Sequence, residues 1–518
     1  MTTTTAAPVD ATALSGLRAR FRGALLRPEE EGYEEARRVW NGAIDRHPAL
    51  IARCAGADDV VEAVRFARDR DLAVSVRGGG HSVAGHGVVD GGLMIDLSLM
   101  KAVRVDPEGR TARAAGGVLW RELSGATQQV GLATTGGIIG HTGIGGLTLG
   151  GGLGHLMRRH GLTVDNLLAV DLVTADGERL RVDAETEPEL LWGLRGGGGN
   201  FGIATAFEYR LHPVGPMVLG GPVVWGLDDA PQVLAFLDDF APTAPDELGI
   251  TIAMMLAPPA PFLPPEHRGR PVVTLVLAWA GDPAAGQRAV APLLGIGRPL
   301  AELVRPVPYV ALQSMLDGGA PHGRHYYWRS HRIHGLPGQV AGVLLDRLAS
   351  ITSPFSQIGG WAMGGAVSRA DPGATAVGER EVGFDVSFAA GWAPGDPDGR
   401  APHGLGPRRL GGPAPPQRRR VRQLPLRRGR RRPPGRLRRP PAAAHRPQGP
   451  LGPGQRLPHE RQHRPQRPRR RVRDGGGTSA VGPGPWTAAR RPPARRRPSP
   501  PTARSCPGRR GTGWSPRR

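Results

Sequence analysis

Apolar positions follow two periods along the first 400 residues. Short apolar runs at Ile51 to Cys54 and Ala73 to Val76 read as strands. Between them Val60, Val61, Val64 and Ala67 recur at helical spacing behind Ala57-Asp58-Asp59, which predicts a capped amphipathic helix and a βαβ unit. Two hairpins follow. One turns at Asp106-Pro107-Glu108-Gly109, the other at Asp176-Gly177, between Leu168 to Thr174 and Arg179 to Val182. A helix is predicted from Val118 to Val130. After Pro213 the pattern changes to apolar runs such as Val272 to Ala280 and Val382 to Trp392, alternating with helical stretches such as Pro231 to Phe240. Residues 45–215 and 216–400 thus read as two lobes behind a lead segment of residues 1–44. Pro-rich Ala257 to Pro265 is a loop within the second lobe. Apolar periodicity stops at Ala401.

With 518 residues the chain has room for two or three domains and a large core. Cys54 and Cys506 are its only cysteines, too few for a disulfide framework or a thiolate metal site, which suits a reducing cytoplasm. Cys54 falls on a predicted buried strand and reads as core. Met1 to Val9 shows neither a basic nor an apolar signal region, and no run approaches a membrane span.

The formal charge of +23 is unevenly placed. Residues 401–518 carry 33 Arg, no Lys and two acids, leaving 35 basic and 43 acidic side chains for residues 1–400. The first 400 residues are mildly acidic. Such an Arg/Pro/Gly tail cannot build a core and is expected to be disordered. A basic arm for nucleic acid is one reading, with binding through phosphate charge. A shifted reading frame explains more, because GC-rich genes read off-frame give Arg, Pro, Gly and Ala. Codons permitted for Val421-Arg422-Gln423-Leu424, moved by one base, read Y-V-N-F. His445 to Gln466 can likewise give T-A-L-K-D-R-W-D-P-D-N-V-F-R-M-N-A-N-I-A-P. Sequencing the gene around the codon for Arg400 tests this, and an intact frame there would refute it.

Three glycine clusters carry the candidate chemistry. Arg77-Gly78-Gly79-Gly80-His81-Ser82 directly follows a predicted strand. Gly143 to Gly152 and Gly196 to Gly202 come later. Consecutive amides unscreened by Cβ form anion-binding nests, so three clusters suggest a long phosphate-containing ligand beside one imidazole. A Rossmann fingerprint fails at Thr148, where the last glycine should stand. Lys101, the only lysine, follows no glycine loop, which excludes a P-loop. No carboxylate or histidine pattern predicts a metal site.

The ordered set of Arg77 to Ser82, Thr134-Thr135-Gly136-Gly137 running into Gly143 to Gly154, Gly161-Leu162-Thr163-Val164-Asp165-Asn166 and Gly196 to Ile203 resembles the FAD-linked oxidases of the berberine bridge enzyme family, which share the vanillyl-alcohol oxidase fold. The resemblance covers roughly residues 45 to 400. It implies an α+β protein: a two-lobed FAD-binding domain of the PCMH type, followed by a substrate domain whose mixed, largely antiparallel sheet is backed by helices. The off-frame Y-V-N-F and its downstream segment resemble that family's flavin-facing C-terminal strand and closing segment.

By the same resemblance FAD is bound through Arg77, Gly78, Gly79, Gly80, His81, Ser82, Gly137, His141, Thr142, Gly145, Gly146, Gly151, Gly199, Asn200 and Ile203. His81 is implied as the residue bonded to the flavin. Read from its residues alone, it could equally be a turn histidine hydrogen-bonded to a phosphate. Some family members add a cysteine link before the central glycine loop; Ile139-Gly140-His141-Thr142 offers no thiol, so one covalent bond is expected. His141 is either a donor to the flavin or pyrophosphate, or a loop-packing residue. The implied reaction is oxidation of a C–H or alcohol group of a small molecule such as a sugar or glycoside, by hydride transfer to FAD with reoxidation by O₂. A dehydrogenase using another acceptor and a polyanion-binding protein are the alternatives. Tyr309, Tyr326 and Tyr327 are weak candidates for the base, and Tyr326-Tyr327-Trp328 fits a pocket wall or a core strand.

Overall fold

The computed structural model describes residues 10–381 and 383–396. The tail from Ala401, its reading as a shifted frame and its expected disorder lie outside the described residues. No helix of the described residues is long and apolar enough to cross a membrane.

A four-stranded sheet comes first, ordered Ala24–Leu26, Leu50–Arg53, Leu93–Asp96 and Val74–Arg77. Leu50–Arg53 and Val74–Arg77 both run parallel to Leu93–Asp96, which lies between them. The predicted βαβ unit is therefore split by a strand that its own sequence does not contain. Helix Ala57–Arg68 packs Val60, Val64 and Phe66 onto this sheet, where Cys54 is fully buried. The predicted side-chain cap is absent, because Gly56 holds the N-cap position. Asp59 is instead buried and accepts from the amides of Arg22, Gly23 and Ala55 at 2.8 to 3.0 Å, tying the lead segment to the helix start.

The second sheet is antiparallel and ordered Val103–Asp106, Thr111–Ala115, Ile203–Arg210, Leu167–Val173, Arg179–Asp183. Both predicted hairpins form its outer pairs. Helices Trp120–Gln128, Ile144–Leu149 and Pro188–Leu194 bury their apolar residues against it around Trp120, Phe207 and Tyr209.

The third sheet has eight strands. Along its main path these are Ala301–Glu302, Met217–Gly226, Pro271–Trp279, Leu248–Leu256, Gln357–Ala362, Phe384–Trp392 and His325–Ile333, with Arg305–Pro308 also pairing with Met217–Gly226. Every described pairing in it is antiparallel, so the parallel component allowed by the sequence reading is missing. One face buries Trp225, Ile252, Leu275, Leu277, Phe384 and Val386 under helices Ala230–Phe240, Pro283–Leu294 and Gly338–Ala349. Each such fully buried aliphatic side chain contributes roughly 1.5–3 kcal/mol. The alternation of strand residues then sends Tyr326, Trp328, Gln357, Trp361 and Ser387 to the other face, which these helices do not cover.

Candidate cofactor site

The first glycine cluster leaves the carboxyl end of Val74–Arg77, the end of a parallel strand where open sheets commonly place ligands. Its course depends on contact with the second cluster. A Cβ on Gly79 would lie 2.2 Å from the Gly143 nitrogen, and one on Gly143 would lie 2.3 Å from the Gly79 nitrogen. The two backbones cross where no side chain fits. The third cluster joins the second through the Gly198 amide, which donates to the Leu149 carbonyl at 2.9 Å. All three clusters therefore meet on one side of the molecule.

His81 stands at this junction. Its Nε2 is 2.7 Å from Nδ1 of His141, and its Nδ1 is 3.4 Å from the hydroxyl of Thr142. Trp40 stacks on its ring with centroids 4.9 Å apart, and His322 meets it edge-on at 5.5 Å. Burial, helped by the neighbouring His141 and His322, lowers the His81 pKa to about 3. The imidazole is neutral at physiological pH, with one nitrogen engaged by His141 and the other facing a long contact.

Further tethers hold this arrangement. The loop before the second cluster is anchored from the third-sheet region, where Gln313 donates to the Gly137 carbonyl at 3.1 Å and Asp317 accepts from the Gly140 amide. Trp40 stacks on Tyr326 at 3.9 Å with ring planes 8° apart, while its amide donates to the Gly80 carbonyl. Asn41 donates to the carbonyls of Val83 and Tyr326 and accepts from the Tyr326 amide. The lead segment thus fastens the His81 loop to an edge strand of the third sheet.

The remaining expected residues divide. Arg77 passes beside Gly80 and donates to the Ala36 carbonyl beside buried Asp96. Ser82 accepts from the His86 amide across a turn. Gly145 packs beside Phe207, and Ile203 is buried in the core shared with helix Ala57–Arg68. Gly151 has φ +117, a backbone that disfavours any side chain. Gly146 and Gly199 have nothing within 4 Å of where a Cβ would stand, and Asn200 spans only its own turn, donating to the Gly197 carbonyl. Backbone with free space on the Cβ side at Gly146 and Gly199, in clusters linked to the one that carries a neutral imidazole, fits a long dinucleotide cofactor.

The three tyrosines part company. Tyr309 is buried among Leu156, Val276 and Ala278, away from the imidazoles. Tyr327 lies on the helix-covered face with Arg329 over its ring. Only Tyr326 reaches the cluster, through Trp40. Its hydroxyl donates to the Pro321 carbonyl at 3.2 Å, and burial raises its pKa, so it is suited to donating a hydrogen bond rather than acting as a tyrosinate base.

Sequence reasoning missed Trp40, Asn41, His322 and Arg380. Trp40-Asn41-Gly42 offered one cue, an aromatic residue beside a turn pair in a stretch without periodicity. His322 offered none. Arg380, nearly fully buried, donates both terminal nitrogens to Asp165 at 2.8 and 2.9 Å and thereby locks the Gly161 to Asn166 turn.

Residues 48–183 match a protein family described as an FAD binding domain. The chain is 34% identical over 318 residues to (R)-6-hydroxynicotine oxidase of Paenarthrobacter nicotinovorans, a span of 60% of this chain and 67% of that protein. It is 33% identical over 330 residues to an FAD-linked oxidoreductase of Dictyostelium discoideum, covering 63% and 69%. Among solved structures, 6-hydroxy-D-nicotine oxidase from Arthrobacter nicotinovorans superposes with a TM-score of 0.67 at 28% identity, covering 74% of this chain and 84% of that one. A berberine bridge enzyme variant shares the fold, with a TM-score of 0.66 at 21% identity over 75% and 81% of the two chains. The chain belongs to the FAD-linked oxidoreductases of the PCMH type, the family of 6-hydroxynicotine oxidase, and it shares its fold with berberine bridge enzyme. It is an enzyme, and FAD is its cofactor.

Proposed function

We propose that the protein is an oxidase of small molecules whose FAD is joined to the chain by a single bond at Nδ1 of His81. The observation that carries this reading is the neutral, partly buried imidazole, one nitrogen engaged by His141 at 2.7 Å and the other with only the long Thr142 contact. A nitrogen must present a free lone pair to bond a carbon, and Nδ1 is the one left to do so. Bound FAD supplies a two-electron acceptor for C–H oxidation, and its attachment to an electron-withdrawing imidazole favours the reduced form. O₂ is the proposed final acceptor.

His141 fixes the tautomer and orientation of His81, and Trp40 with Tyr326 holds the ring from the side. The face of the third sheet opposite its helices offers Trp328 as a flat surface, with Gln357 and Ser387 as hydrogen-bonding groups, while Trp361 packs against the cluster around Met157 and Met363. That mixture suits a hydroxylated ring compound such as a sugar or glycoside.

The test is flavin fluorescence of the denatured polypeptide, for the 518-residue chain and for a version whose reading frame is moved by one base after Arg400. Fluorescence that stays with the denatured chain and disappears in His81→Ala supports the reading. Flavin released on denaturation from both versions refutes the bond. Peroxide formed on turnover identifies an oxidase; reduction of an artificial dye without peroxide identifies a dehydrogenase instead.

A further inference from the structure

We propose that in the flavin-free chain His81, His141 and His322 form a three-imidazole site for a divalent transition-metal ion of the zinc type. The site is separate from the flavin attachment proposed above, because it draws on Nε2 of His81 and the flavin on Nδ1.

Three separate segments supply the ligands. His81 follows the first-sheet strand, His141 sits on the loop anchored by Gln313 and Asp317, and His322 lies just before the edge strand His325–Ile333. One nitrogen from each ring lies within 4.8 Å of the others, and His81 and His141 are already at 2.7 Å. The ring centroids of His141 and His322 are 5.1 Å apart. A tetrahedral ion with Zn–N bonds of about 2.0–2.1 Å needs ligand nitrogens roughly 3.3 Å apart. His81 and His141 must therefore separate slightly, and the His322 ring must move inward by up to about 1.5 Å on the same geometry. The first two rings are partly buried and His322 is exposed, so an ion enters from the His322 side and keeps water in its fourth position.

Ligand chemistry restricts the ion. Three neutral nitrogens suit Zn²⁺, Co²⁺, Ni²⁺ or Cu²⁺ and disfavour Mg²⁺ and Ca²⁺, which require oxygen. Arg77 and Arg121 lie close enough to His322 to act on it electrostatically, and they oppose a dication. Moderate affinity is the expectation. A His81 ring bonded to a carbon at Nδ1 would keep the Nε2 lone pair, so the attachment does not by itself remove this ligand.

The experiment titrates Co²⁺ into the full chain prepared flavin-free from riboflavin-starved cells, reading the visible bands of tetrahedral cobalt, with Zn²⁺ added afterwards to displace them. One equivalent is expected to bind. Affinity should fall by roughly a hundredfold or more in His322→Ala and in His141→Ala, since each loses a direct ligand. Circular dichroism checks that both variants fold. Absent bands in the flavin-free chain, or bands unchanged in folded His322→Ala, would overturn the site. Were His81 to carry no flavin at all, cobalt binding would still report on the three imidazoles, so the two proposals fail separately.

Discussion

Gly79 and Gly146 look alike in the sequence, each inside a glycine-rich loop, yet they serve opposite purposes. At Gly79 the backbone of another loop occupies the place of a side chain, with the Gly143 nitrogen 2.2 Å from an added Cβ. Gly146 faces open space. The first is glycine because protein meets protein; the second leaves room that the proposed cofactor site would use. The same division runs through the whole site: the crossing of the loops and the Asp165–Arg380 turn are packed structure, while His81, Gly146 and Gly199 are the positions proposed to face the cofactor.

The largest effect is expected where that contrast is sharpest. Gly79→Ala or Gly143→Ala forces one backbone off another and should cost about 3 kcal/mol or more, leaving little soluble protein. Near wild-type yield and melting temperature for either variant would show that the crossing is not obligatory.

The turn at Gly161 to Asn166 tests the packed side next. Asp165→Leu strands the buried guanidinium of Arg380 and should destabilise by about 3–5 kcal/mol, read as the urea midpoint. The double variant Asp165→Leu/Arg380→Leu should recover part of that loss. If it is no more stable than the single variant, the ion pair does not explain the cost.

Acid should separate the regions more gently. Burial lowers the pKa of His155 to about 4 and of His160 to about 3, from an ordinary value of 6.5, with His212 adding to the effect at His160. The unfolded chain binds protons that these rings refuse, so their contribution is complete above pH 6.5 and is lost as pH falls toward 4 and then 3. His155 has both ring nitrogens buried without a partner. His155→Leu should flatten the fall in urea midpoint between about pH 6 and pH 4 by up to about one proton's worth of slope. An unchanged slope would show that His155 plays no part in the acid sensitivity.

The smallest effect on folding is expected at Gly146, which lies in helix Ile144–Leu149. Alanine there meets no neighbour and gains up to about 1 kcal/mol of helix propensity. Gly146→Ala should melt no lower than wild type while retaining less FAD. Full flavin content in that variant would erase the distinction from Gly79.

Much of this was legible in the sequence. The hairpins at Asp106 and Asp176 follow from turn residues between alternating strands, and the helix at Ala57 follows from its period. The strand Leu93–Asp96 slipped into the βαβ unit was not legible, because both of its partners are strands that come earlier in the chain, and it enters between them from outside the unit: Ile95 pairs with Ala52 and with Val76. His81 stood out through the glycines beside it. Trp40, His322 and Arg380 did not, because stacking, a three-ring cluster and a buried ion pair arise only when distant segments fold together. The two kinds of glycine could not be told apart either, since local sequence records the absence of a Cβ and not what takes its place.

The most direct test is mass spectrometry of the denatured, proteolysed enzyme. A single covalent attachment predicts a peptide containing His81 that is heavier by one flavin adduct, with the modification on the imidazole and no such adduct in His81→Ala. An unmodified His81 peptide recovered from flavin-loaded protein would contradict it.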